Sequence, residues 1–101
     1  MCETSLNKKI FGGFYMEVKI INYLKNTKDG ITISEIGGSE KILENICYKC
    51  NTNSIEIQGF NEYRKMDKYI VKIKDIINIE EDITNISIFT KNKEIIMENW
   101  Y

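Results

Sequence analysis

Alanine, proline and histidine are absent from the 101 residues, and Arg64 is the sole arginine. Without histidine, the usual base beside a serine or cysteine nucleophile is missing, and so is the commonest metal ligand. No apolar run approaches the roughly 18 residues that span a membrane, and the start of the chain carries no apolar signal core. A cytoplasmic protein is therefore expected. The cysteines Cys2, Cys47 and Cys50 are an odd number, which does not suit a secreted disulfide framework, so reduced thiols are expected. Neither Gly12-Gly13 nor Gly37-Gly38 has the lysine or the spacing of a phosphate-binding loop. With 14 basic residues against 15 acidic ones, the chain has neither the basic footprint of a nucleic-acid binder nor the dense acidic surface of a DNA mimic.

What is present is abundant isoleucine, asparagine and lysine, the mark of an AT-rich gene in a low-GC bacterium, its plasmid or its phage. In such a gene Gly12-Gly13 reads as GGA-GGN, a ribosome-binding sequence just upstream of Met16. Residues 1–15 are then a non-native or weakly ordered extension, and residues 16–101 form a single domain. The other reading of Gly12-Gly13 is a hairpin turn, since glycine reaches positive φ freely. A hydrophobic fraction of 43% with 29% charged residues is that of an ordinary folded domain.

Phe14, Met16, Val18 and Ile20 alternate, predicting a strand over residues 16–25, whereas Val18, Ile21 and Leu24 fit helical spacing. Asp29-Gly30 before "ITI" predicts a hairpin. Thr32-Ile33-Ser34-Glu35 has the form of a capping box. On those residues "VKIINYLKNTKDGITISEI" resembles the opening of a winged helix-turn-helix domain, which implies helices at 18–25 and after Thr32, within residues 17–50. Gly37-Gly38 interrupts that second helix, at about 1 kcal/mol per glycine. "SEKILENICYKC" predicts a helix over residues 39–50: Ser39 suits the N-cap, and Ile42, Leu43, Ile46, Cys47 and Cys50 fall on one face. From residue 54 onward alternating isoleucines and short polar connections predict an antiparallel meander. Within it, Ile73, Asp75, Ile76, Ile79, Glu80 and Thr90 resemble the strand pair that opens a LytTR-type DNA-binding domain, over about a quarter of the chain. The resemblance implies a strand pair, and no function is carried over from it.

Cys47-Tyr48-Lys49-Cys50 is the one motif with a chemical name. A redox pair needs a helix N-terminus to lower the thiol pKa, and this pair falls at the opposite end of the expected helix. Zinc needs four ligands, so only a dimer completes such a site. Glu80-Glu81-Asp82 reads as a solvated turn. No catalytic residue, metal or cofactor is expected. The candidate partner-binding residues are Phe60, Tyr63, Arg64 and Lys65, in a polar loop between two strands, and Trp100 and Tyr101 at the end of the chain. Aromatic residues and arginine dominate interface energetics. Arg64 stands out because lysine serves for solubility elsewhere in this chain, whereas only arginine offers a planar fork.

The fold expected is a small α+β domain: an antiparallel sheet of four to six strands with one helix, residues 39–50, on a face. The function expected is non-catalytic protein binding, as in phage or mobile-element inhibitors of bacterial defence systems and in immunity proteins. The open alternatives are a DNA-binding regulator with a winged-helix N-terminal half and a small-ligand sponge or sensor. A homodimer is compatible with each.

Overall fold

The computed structural model describes residues 12–27 and 29–100, with side chains from Met16 onward. The choice of start between Met1 and Met16 falls outside the described residues. The elements are a helix α1 (Gly12–Lys25) and seven strands: β1 (Gly30–Glu35), β2 (Glu40–Cys50), β3 (Ser54–Phe60), β4 (Met66–Lys72), β5 (Ile76–Glu81), β6 (Asn85–Thr90) and β7 (Glu94–Asn99). A single 3-10 turn, Ile73–Asp75, joins β4 to β5. The class is thus α+β and mostly sheet, with more strands than the four to six expected.

Residues 16–25 are helix, not strand. Ile20, Ile21, Tyr23 and Leu24 are all buried, and no period of two buries both members of two adjacent pairs. The helix ends where Asn26 and Thr27 donate their backbone N–H groups to the carbonyls of Tyr23 and Leu24. Gly12-Gly13 opens this helix and makes no hairpin turn. Asp29-Gly30 joins α1 to β1, so there is no hairpin there either. The helix at 18–25 is one that the winged-helix resemblance implied. The second is missing, because Thr32–Glu35 lies within β1.

The expected helix at 39–50 is strand β2. Gly37, at φ +80, turns a hairpin in which the Glu35 N–H donates to the Ser39 carbonyl at 2.9 Å. Ser39 therefore closes a hairpin instead of capping a helix. The helical spacing has a specific cause. A β-bulge lies between Glu44 and Cys47, with Asn45 at φ +50, and the extra residue brings both Leu43 and Ile46 to the core side, three positions apart. "KYIVKIKDIINIEED", expected as continuous β structure, is split by the 3-10 turn. The resembled strand pair is present as β5 and β6.

The sheet order is β4-β3-β2-β1-β7-β6-β5, and every pairing is antiparallel. Following those pairings around the sheet gives β4 and β5 the same sense. They are one kinked strand that serves both edges, so the seven strands, with those two counted once, behave as a six-member ring. The sheet curls on itself: Tyr69 of β4 donates to Glu35 of β1 at 2.6 Å, although two strands separate them in the sheet. Inside are Ile31, Ile33, Leu43, Ile55, Ile57, Ile86, Ile88 and Met97. Helix α1 packs against β5 and the 3-10 turn, and the Tyr23 hydroxyl lies 3.0 Å from the Thr84 carbonyl and 3.1 Å from that of Met97. Among the described residues no helix is long and apolar enough to cross a membrane.

Candidate functional site

The β3–β4 hairpin gathers four of the residues singled out in the sequence and adds a fifth. Phe60 and Met66 stand directly opposite each other in the register, so their side chains are neighbours on one face. Phe60 is 38% exposed, Met66 60% and Tyr63 72%. Arg64 and Lys65 are exposed beside them. A shallow depression of about 350 Å³, lined by Glu56, Gln58, Met66, Asp67 and Lys68, adjoins the tip.

Asn61 builds the turn. Its N–H donates to the Lys65 carbonyl at 2.8 Å, and its carbonyl accepts from the Arg64 N–H at 2.9 Å. Its Oδ1 accepts from the backbone N–H groups of Tyr63 at 2.9 Å and Lys65 at 3.1 Å. The result is a three-residue loop whose last residue, Arg64, sits at φ +64. That left-handed position is normally filled by glycine, and a side chain there costs roughly 1 kcal/mol. The only arginine of the chain thus occupies a place where it opposes folding.

The base of the hairpin is fixed by charge. Asp67 accepts from the Lys68 N–H at 2.8 Å and from Lys41 Nζ at 3.1 Å, and Asn61 Nδ2 approaches it at 3.5 Å. These bonds, that of Lys68 first, hold its carboxyl below the ordinary value of 3.8. Further along β4, Glu35 accepts from Tyr69 Oη and from Lys93 Nζ at 3.0 Å. The Tyr69 bond, then that of Lys93, lowers the Glu35 pKa from 4.5. Burial first, and the Glu35 carboxylate second, push the Tyr69 phenol upward.

Both carboxylates titrate lower folded than unfolded, so their stabilising effect is complete above the ordinary carboxylate values and is lost as pH falls through the folded ones. Acid unfolding followed by circular dichroism is expected to show stability falling below about pH 4. In Glu35→Gln this acid limb is expected to be shallower. An identical limb in the variant would remove Glu35 from the linkage.

Trp100 lies elsewhere. It is half-buried on β1, with its N–H donating to the Gly30 carbonyl at 3.0 Å and its Nε1 donating to Thr32 Oγ1 at 2.9 Å. Its ring covers Gly30, which pairs with Glu44, which in turn pairs with Phe60, so two strand spacings, roughly 10 Å, separate it from Phe60. Tyr101 lies outside the described residues. Met66, absent from the sequence-based set, could have been found by pairing residues about the Asn61–Lys65 turn, which sets it opposite Phe60.

Cys47 and Cys50 do not share a face. Strand alternation turns Cys50 toward the core and Cys47 to the outer side. Cys47 is disulfide-bonded, contrary to the expectation of reduced thiols throughout. Among the described residues no three metal-ligating side chains come together. Glu80 and Glu81 end β5, and Asp82 opens the turn to β6, its Oδ1 accepting from the Ile83 N–H.

Comparison with protein-family models, with curated proteins and with solved structures finds no match for the chain.

Proposed function

We propose that this chain is a non-catalytic binding protein that acts by seating the tip of its β3–β4 hairpin on another protein. The observation that carries the reading is Arg64, held in a left-handed turn beside exposed Phe60, Tyr63 and Met66. A strained backbone position kept by a side chain of high interface value points to function at that position. Phe60, Tyr63 and Met66 supply apolar area, and the Arg64 fork supplies a charged anchor for a carboxylate. Inhibition or neutralisation of the partner by occupying its surface, as immunity proteins and phage inhibitors of bacterial defence do, is the form proposed.

The test is affinity capture from a nuclease-treated low-GC bacterial lysate with the wild type and with Tyr63→Ala. Tyr63 is exposed at the turn, so its truncation leaves the fold intact. A protein bound stoichiometrically by the wild type is expected to lose affinity at least about 30-fold in the variant, as for an interface anchor worth about 2 kcal/mol. Equal capture by both proteins would remove the hairpin tip from the interface. The proposal includes a cytoplasmic location, against which the Cys47 disulfide speaks; the intact mass of protein isolated from cells decides, a mass with Cys47 as a thiol supporting that location and an oxidised mass overturning it.

A further inference from the structure

The open edge of β4 supports a second binding site, independent of the hairpin tip. The bonds at the two ends of the β3–β4 ladder, Asn61 N–H to Lys65 carbonyl and Ile73 N–H to Asn53 carbonyl, are both 2.8 Å. Together with the register they fix the alternation. The odd-numbered residues of β4 bond to β3, and the N–H and C=O groups of Met66, Lys68, Ile70 and Lys72 point off the edge. Lys68 is covered from within the chain: its N–H donates to Asp67 Oδ1 and its carbonyl accepts from Lys41 Nζ. Ile70 and Lys72 instead face a slot of about 250 Å³, whose other lip is Thr90, Asn92 and Lys93 and whose floor includes Val71 and Ile95.

The slot has closed ends. At one end the Lys91 N–H donates to the Asp75 carbonyl at 3.2 Å. At the other, Tyr69 and Lys93 converge on Glu35. A pairable stretch from Ile70 to Lys72 suits a short extended segment better than a long strand. At about 250 Å³ the slot is also below the roughly 300–1,000 Å³ of sites that enclose a drug-sized molecule. At the other edge of the sheet α1 packs against β5, whereas at the β4 edge the polar groups of Ile70 and Lys72 face the slot.

Charge selects the occupant. Lys72 lines the slot and Lys91 is exposed next to it, while Lys93, also lining it, is shared with Glu35 at 3.0 Å and Lys68 with Glu56 at 3.9 Å; Asp75 is the one carboxylate among the lining residues. We propose that the β4 edge takes up a short extended peptide segment bearing acidic side chains, its backbone paired with Ile70 and Lys72 and its carboxylates set among these lysines. Main-chain pairing supplies attachment, and the lysines supply selectivity.

The test titrates the capped peptides Glu-Val-Glu-Val-Glu and Lys-Val-Lys-Val-Lys into isotope-labelled full-length protein at low salt, following backbone amides by NMR. The acidic peptide is expected to shift the Ile70 and Lys72 amides, with the basic peptide binding at least tenfold more weakly. Lys72→Glu is expected to weaken the acidic peptide at least tenfold. So is Ile70→Pro, which deletes an N–H that β3 does not use. If that variant fails to fold, an acidic peptide N-methylated at its central glutamate and at the valine after it, so that either strand alignment loses its pairing N–H, replaces it, and loss of binding is again expected. Any of three results would overturn the proposal: equal binding of both peptides, no shift at Ile70 and Lys72 up to millimolar peptide, or full binding by the N-methylated peptide.

Discussion

Replacing Leu43 with alanine is expected to lower stability by about 2–5 kcal/mol, while Ile42→Ala is expected to cost less than about 1 kcal/mol. The contrast follows from β2 being a strand. Leu43 has no exposed surface and stands opposite Ile31, inside the ring. Ile42 faces the other way, opposite Thr32, and is partly exposed. On an amphipathic helix the two would share the buried face and cost similar amounts. For a domain of this size the Leu43 loss corresponds to a fall in Tm on the order of 10–30 °C. Thermal unfolding of the two variants side by side checks it, and equal losses would contradict the strand.

Gly30→Ala is expected to cost roughly 1–3 kcal/mol, as overpacking does. A Cβ at Gly30 would lie 2.6 Å from the Leu43 carbonyl oxygen, 3.2 Å from the Glu44 Cα and 3.2 Å from Trp100 Cε3. The first two are backbone atoms of the paired strand, so β1 and β2 must separate for the methyl to fit. The third belongs to the sole tryptophan of the chain, whose ring covers this glycine. Trp100 emission is therefore expected to shift to the red in the variant as the ring leaves its place over Gly30 and Thr32. A variant of wild-type stability with unchanged emission would contradict the packing.

The meander after residue 54 was legible because its isoleucines alternate and its turns are short and polar. The hairpin carrying Phe60 and Met66 followed from the same signal. β2 was not legible, because a bulge at Asn45 gives a strand the apolar spacing of a helix, and because Ser39 serves equally to cap a helix or to close a turn. α1 presented both periods at once, and the burial of Ile20 with Ile21 and of Tyr23 with Leu24 decided between them only in the folded chain. The kink at Ile73–Asp75 has no marker in composition: no glycine or proline interrupts "YIVKIKDII". It is imposed by the need of one strand to serve two sheet edges. For the candidate site, residue type alone identified Phe60, Tyr63 and Arg64. Pairing Glu35 with Tyr69 and Lys93, and opening a slot beside Ile70, required the curl of the sheet, which brings together side chains 34 and 58 positions apart.

Arg64→Gly puts the functional reading to the most direct test, because stability and binding are expected to move in opposite directions. Glycine relieves the left-handed strain, so the variant is expected to be more stable by about 0.5–1 kcal/mol, after the greater freedom of its unfolded chain is counted. It also removes the charged anchor, so capture of the protein partner is expected to fall at least tenfold. Chemical unfolding and partner affinity, measured on the same preparation, give both numbers. A variant that is stabilised and no longer binds supports the hairpin tip as the surface this protein uses. A variant that binds its partner as tightly as the wild type would contradict it.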